Sequence, residues 1–126
     1  MQTLKGGVPL SAIGYIQVHA YTSYAQIPLK DVAVSITDAS GAAIALRLTN
    51  RNGALTSPVQ VEVPDTASGL TPNTGVIPFA VVNLYARLEN YEAIEIENLQ
   101  VFPNTTTLQN LEMIPLSELP QSWNKL

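Results

Sequence analysis

Apolar and polar residues alternate along most of the chain. In residues 14–21, GYIQVHAY, the apolar Ile16, Val18 and Ala20 fall on one face and Tyr15, Gln17, His19 and Tyr21 on the other. Val32, Val34 and Ile36 alternate with Ala33, Ser35 and Thr37, and Ile44, Leu46 and Leu48 with Ala45, Arg47 and Thr49. Val59, Val61 and Val63 repeat the pattern. The run 79–89 sets Val82, Leu84, Ala86 and Leu88 against Val81, Asn83, Tyr85, Arg87 and Glu89. Residues 93–100 carry Ile94 and Ile96 against Glu95 and Glu97, and 105–113 close the set with Leu108, Leu111 and Met113. A period of two with one apolar face predicts β-strands packed on one side and wet on the other. The expected fold is all-β, a seven- to eight-stranded antiparallel Greek-key sandwich.

The punctuation supports this. Asp38-Ala39-Ser40-Gly41 predicts a hairpin turn between the second and third strands, and Asn50-Arg51-Asn52-Gly53 repeats the device one strand later. No amphipathic helix of useful length is expected. Residues 64–78, rich in Pro, Gly, Ser and Thr, predict a long crossover between the two sheets. The organisation is then an N-terminal arm (1–13), the sandwich (14–113) and a C-terminal arm (114–126) carrying the sole tryptophan, Trp123.

Composition narrows the function. The 126 residues suit one domain, 46% are apolar, and only 13% are charged where about 25% is usual. The polar surface must therefore be built mainly of Thr, Asn, Ser and Gln. A net charge of −4 excludes a basic nucleic-acid binder, and the absence of cysteine excludes disulfide frameworks and thiol chemistry. No run approaches the roughly 20 apolar residues of a membrane helix. Residues 1–13 hold no signal-peptide core, so the expectation is cytosolic synthesis and incorporation into an assembly.

Reactive constellations are sparse. His19, the only histidine, has no second histidine or cysteine to complete a site, and Glu95 and Glu97 read as a solvated strand face beside Glu92. Asp31 and Asp38 read as turn residues. Asp38, Asn50 and Asn52 would offer calcium ligands only if their two turns met at one end of the sandwich. The expectation is no catalytic residue, no cofactor, no metal and no enzyme.

The segments IPLKDVAVSITDASG (27–41), TNRNG (49–53) and NYEAIEIENLQVFPNTTTLQNLEMIPL (90–116), after the opening GYIQVHAY, resemble the carboxypeptidase regulatory-like domains, a branch of the transthyretin-like sandwiches. Pro28-Leu29, Thr49-Asn50 and Asn90-Tyr91 fill the family's Pro-hydrophobic, Thr-Asp and Gly-Tyr places, with Asn50 standing for Asp and Asn90 for Gly. The resemblance spans about residues 14 to 116 and is strongest to a short single-domain type of clostridial-type spore formers, often labelled with spore cortex-lytic proteins. It implies a transthyretin-like fold and a module that works beside other proteins. A 5-hydroxyisourate hydrolase shares that fold, but its histidines and its Tyr-Arg-Gly-Ser ending have no match here.

Two functions follow. The first is a structural or interaction subunit that assembles with copies of itself or with other proteins. Its anchors would be Leu119, Trp123 and Leu126 in the tail and Leu70 and Val76 in the long loop. The second is a cell-wall glycan binder accessory to a lytic enzyme, with Tyr15 and Tyr21 as a stacking platform among Tyr24, Tyr85 and Tyr91.

Overall fold

The computed structural model of the chain describes residues 11–23, 25–64 and 79–118. Its strands are β1 (Ser11–Thr22), β2 (Ala33–Asp38), β3 (Ala43–Leu48), β4 (Val59–Pro64), β5 (Ala80–Arg87), β6 (Ile94–Val101) and β7 (Thr106–Met113), and a 3₁₀ turn follows at Leu116–Glu118. They form a three-stranded sheet in the order β4-β1-β7 and a four-stranded sheet in the order β3-β2-β5-β6. Among the described residues no helix is long and apolar enough to cross a membrane.

Outside β3, and apart from the exposed Leu108 of β7, the inner faces are those the alternation marks. Ile16, Val18 and Ala20 of β1, Val59, Val61 and Val63 of β4, and Leu111 and Met113 of β7 meet Val34 and Ile36 of β2, Val82, Leu84 and Ala86 of β5, and Val101 of β6. Each of these side chains is almost wholly buried. Complete burial of a Val, Leu or Ile is worth about 1.5–3 kcal/mol, so this one layer drives folding.

The pairing departs from the expected all-antiparallel arrangement at one place. β1 and β7 run parallel, from Tyr15 opposite Thr106 to Thr22 opposite Met113. Residues 102–105 carry the chain from β6 of one sheet to β7 of the other, and Tyr15 N–H to Thr105 O and Asn104 N–H to Ile13 O dock that turn on β1. β7 therefore enters beside the early part of β1, heading the same way. β1 itself begins at Ser11, earlier than its alternating run.

One of the two Asx turns also differs from expectation. At 38–42 a hairpin forms, with Asp38 Oδ1 accepting from Ser40 N–H and Ala42 N–H. Asn50 Oδ1 accepts from Asn52 N–H and Ala54 N–H in the same manner. Yet this second turn joins no hairpin, because β3 and β4 belong to different sheets. Its Gly53 carbonyl instead accepts from Ala20 N–H of β1, so the turn is the corner at which the chain changes sheets.

β3 is the second correction. A register shift between Ile36 and Thr37 leaves Ile44 as an extra residue on β3, with Ala45 opposite Ile36 and Ala43 opposite Thr37. One extra residue exchanges the faces beyond it. Ile44 and Ala45 pack against the core, whereas Leu46 and Leu48, opposite Ser35 and Ala33, turn to the outer face. Leu46 is 67% exposed and Leu48 59%.

The segment expected to cross between the sheets, 64–78, lies beyond Pro64 outside the described residues. The same holds for residues 1–10 and 119–126 of the arms. Residues 114–116 are fastened: Glu92 N–H donates to Ile114 O and Leu116 N–H to Asn90 O, while Tyr91 bridges Pro115. That contact ties the end of β7 to the β5–β6 turn of the opposite sheet.

Candidate functional site

Of the candidate interaction residues, Leu70, Val76, Leu119, Trp123 and Leu126 lie outside the described residues. Tyr15 and Tyr21 are on the outer face of β1, both half-buried, six residues apart. At about 3.3 Å per residue they are about 20 Å from each other. Between them, the Gln17 amide is engaged with the backbone of Leu55: Oε1 accepts from its N–H at 2.9 Å and Nε2 donates to its carbonyl at 3.2 Å. The Tyr21 ring packs on the exposed His19, with centroids 5.2 Å apart and planes tilted by 41°. Tyr15 and Tyr21 are thus separate features, not one continuous platform.

The Asp38 and Asn50 turns do not meet. β2 and β3 are antiparallel, so Asp38 ends β2 at one end of the hairpin and Asn50 follows β3 at the other. Asp38 is committed to its own turn. The Ser40 hydroxyl first, then backbone N–H groups led by Ala42, hold its carboxyl below the usual Asp value.

The outer face of the four-stranded sheet holds two features. Across it, Leu46, Ser35, Tyr85 and Glu95 stand directly opposite one another on β3, β2, β5 and β6. At the β6 end, Ser35, Thr37, Asn83, Tyr85, Glu95 and Glu97 line a shallow groove of about 230 Å³. A bulge shapes it. The β5–β6 register shifts between Val82 and Leu84, Asn98 adopts φ 61°, and Asn83 Oδ1 accepts from Asn98 N–H at 3.1 Å. Hydroxyls, an amide, carboxylates and the 39% exposed Tyr85 form a surface that can hydrogen-bond and stack with a polar ligand.

Among the described residues the sheet ends at β3. Thr49 donates its N–H to Val32 O, and its carbonyl accepts from Asp31 N–H, so both groups face β2. By alternation Arg47 and Ala45 also face β2, and the N–H and C=O of Leu46 and Leu48 face the open edge. Consistent with this, the Leu46 carbonyl is taken by a side chain, the Arg47 guanidinium, at 3.1 Å.

No family model matches the chain, and no curated protein matches it. Solved structures do. A 5-hydroxyisourate hydrolase of Klebsiella pneumoniae superposes with TM-score 0.54 at 15% identity, over 81% of this chain and 90% of that one. The fold is transthyretin-like. A 3-chlorocatechol 1,2-dioxygenase of Rhodococcus opacus 1CP superposes with TM-score 0.52 at 14% identity, over 91% of this chain and 63% of that one.

These neighbours correct one expectation. The sequence reading set catalysis aside, yet the same sandwich carries a hydrolase and a dioxygenase. The likeness extends to the fold alone, and the fold is compatible with enzymatic chemistry. Two surface features escaped the sequence reading. The outward leucines of β3 depend on a bulge, and the groove unites residues from three strands whose register the sequence does not display. The only sequence signal near the groove is Asn98, a residue type that tolerates positive φ.

Proposed function

We propose that the chain is a structural and interaction subunit of a larger protein assembly, of the kind found in virions, spore layers or surface filaments, and that it docks through the β3 edge. One observation supports this above the others: Leu46 and Leu48 stand 67% and 59% exposed on a strand whose outer side has no strand partner among the described residues. Soluble proteins guard such edges with charge, proline or short length. β3 has one charge, Arg47, and no proline. The resemblance to carboxypeptidase regulatory-like domains belongs to the same reading, and Asn90, at φ 73°, adopts the conformation that the family's glycine would favour.

Light scattering of the purified chain tests the reading. The expected mass exceeds 13.6 kDa, and removing residues 119–126 leaves the number of copies unchanged because the edge makes the contact. A monomeric mass up to the solubility limit overturns it. A fall in the number of copies on truncation transfers the contact to the tail.

A second reading, a cell-wall glycan-binding accessory protein, is favoured by the Tyr85 groove. In a peptidoglycan pull-down it expects Tyr85→Ala to lose retention while Tyr15→Ala with Tyr21→Ala keeps it. Equal retention of all three proteins dismisses the groove.

A further inference from the structure

We infer that the partner at this edge is a second copy of the chain, with β3 paired antiparallel to its counterpart and centred on Leu46, so that two four-stranded sheets become one. The inference rests on the assembly reading above and adds the identity of the partner and the register.

Self-pairing requires a strand complementary to its own reverse. Three symmetric registers bring the outward leucines together, and the one centred on Leu48 sets Leu46 opposite Asn50, past the end of β3. Centring on Arg47 sets Leu46 against Leu48 twice but places Arg47 directly opposite Arg47, and like charges directly opposed destabilise a sheet. Centring on Leu46 sets Leu46 against Leu46, with Leu48 of each copy diagonal to it, and gives each Arg47 the small Ala45 as its opposite. The edge-facing N–H and C=O of Leu46 then exchange two hydrogen bonds about the two-fold axis. The apolar pair continues onto Ala33 and Ser35 of β2, which carry no charge.

The rest of the sheet permits the approach. Its acidic groove residues, Glu95 and Glu97, lie on β6 at the far edge. In the joined sheet the two β6 strands are separated by about 34 Å, from about 4.8 Å per strand spacing. That is several Debye lengths at physiological salt, so the glutamates of the two β6 strands oppose the contact little. Arg47 is the opposing device. Its guanidinium occupies the Leu46 carbonyl and must release it when the copies pair.

The chain has no cysteine, so introduced thiols report without background. Ala45→Cys and Arg47→Cys are prepared as separate full-length chains, mixed, and oxidised. The Leu46-centred register expects a disulfide in the mixture and little in either chain alone. Sedimentation over a dilution series should show dissociation at least about tenfold easier in Leu46→Lys and harder in Arg47→Ala. Leu46 is exposed, so its replacement spares the core. Cross-linking of Arg47→Cys alone overturns the register. A mass above one copy that ignores Leu46→Lys overturns the β3 contact and leaves assembly through another surface standing. A chain that is monomeric throughout overturns both.

Discussion

Gly53→Ala should be among the most damaging single-methyl additions in this protein. Gly53 has φ 77°, in the left-handed region, and an added Cβ would collide with the Ala20 carbonyl oxygen and approach the Leu29 nitrogen to 3.3 Å. Moving an L-residue into that region costs about 1–2 kcal/mol. The collision adds more, because the Ala20 carbonyl cannot yield freely. It accepts from Leu29 N–H at 3.0 Å, while Ala20 N–H donates to Gly53 O at 2.8 Å. Shifting the corner away from β1 weakens both bonds, each worth about 1 kcal/mol net. The sum is about 3–4 kcal/mol. Gly41→Ala supplies the control, since Gly41 has φ 94° but nothing within 4 Å of the added atom, leaving only the conformational cost of about 1–2 kcal/mol. Urea unfolding of both variants and the wild type, followed by circular dichroism, measures the difference. Equal losses for the two glycines would refute the claim that the 50–53 corner is wedged against β1.

Two further outcomes are expected from polar groups. Thr49 is 2% exposed, and its hydroxyl donates to Leu29 O at 2.7 Å and accepts from Val32 N–H at 2.9 Å; Thr49→Val, nearly the same shape, should cost about 2–3 kcal/mol in the same assay by leaving both buried groups unpaired, and a neutral result would show that water reaches them. Asp38 has a folded-state pKa below its unfolded value, so its contribution to stability is present above the unfolded pKa and is lost as pH falls through the folded one. An NMR titration should show the Asp38 carboxyl below the usual Asp range, and Ser40→Ala should move it upward; an unmoved midpoint would shift the cause to the backbone donors.

What was legible in the sequence is what burial decides locally. Val59, Val61 and Val63, or Val82, Leu84 and Ala86, announce their inner face because each neighbour in the strand obeys the same period. Gln17 and Thr49 defeat that reading for a different reason. Both are polar, yet their hydrogen bonds reach backbone 38 and 20 residues away, respectively, and no local pattern reports a partner at that range. The parallel run of β7 beside β1 is likewise a pairing of the first and last described strands, visible only once the sheets are assembled.

The two surface features are harder still, and they share a cause. Ile44 adds a residue to β3, and the shift between Val82 and Leu84 adds one to β6 beside Asn98; these strands are the two edges of one sheet. On β3 the extra residue turns leucines outward from an otherwise uncharged stretch beside Arg47. On β6 it opens the groove beside Tyr85, where Glu95 and Glu97 gather. A strict period of two would have buried the leucines and left the glutamates on a flat face. The low charge of the chain is therefore uneven on this sheet, apolar at the β3 edge and acidic toward β6. In the pairing proposed above, this face would present its β3 edge to the second copy and hold the β6 glutamates away from the contact.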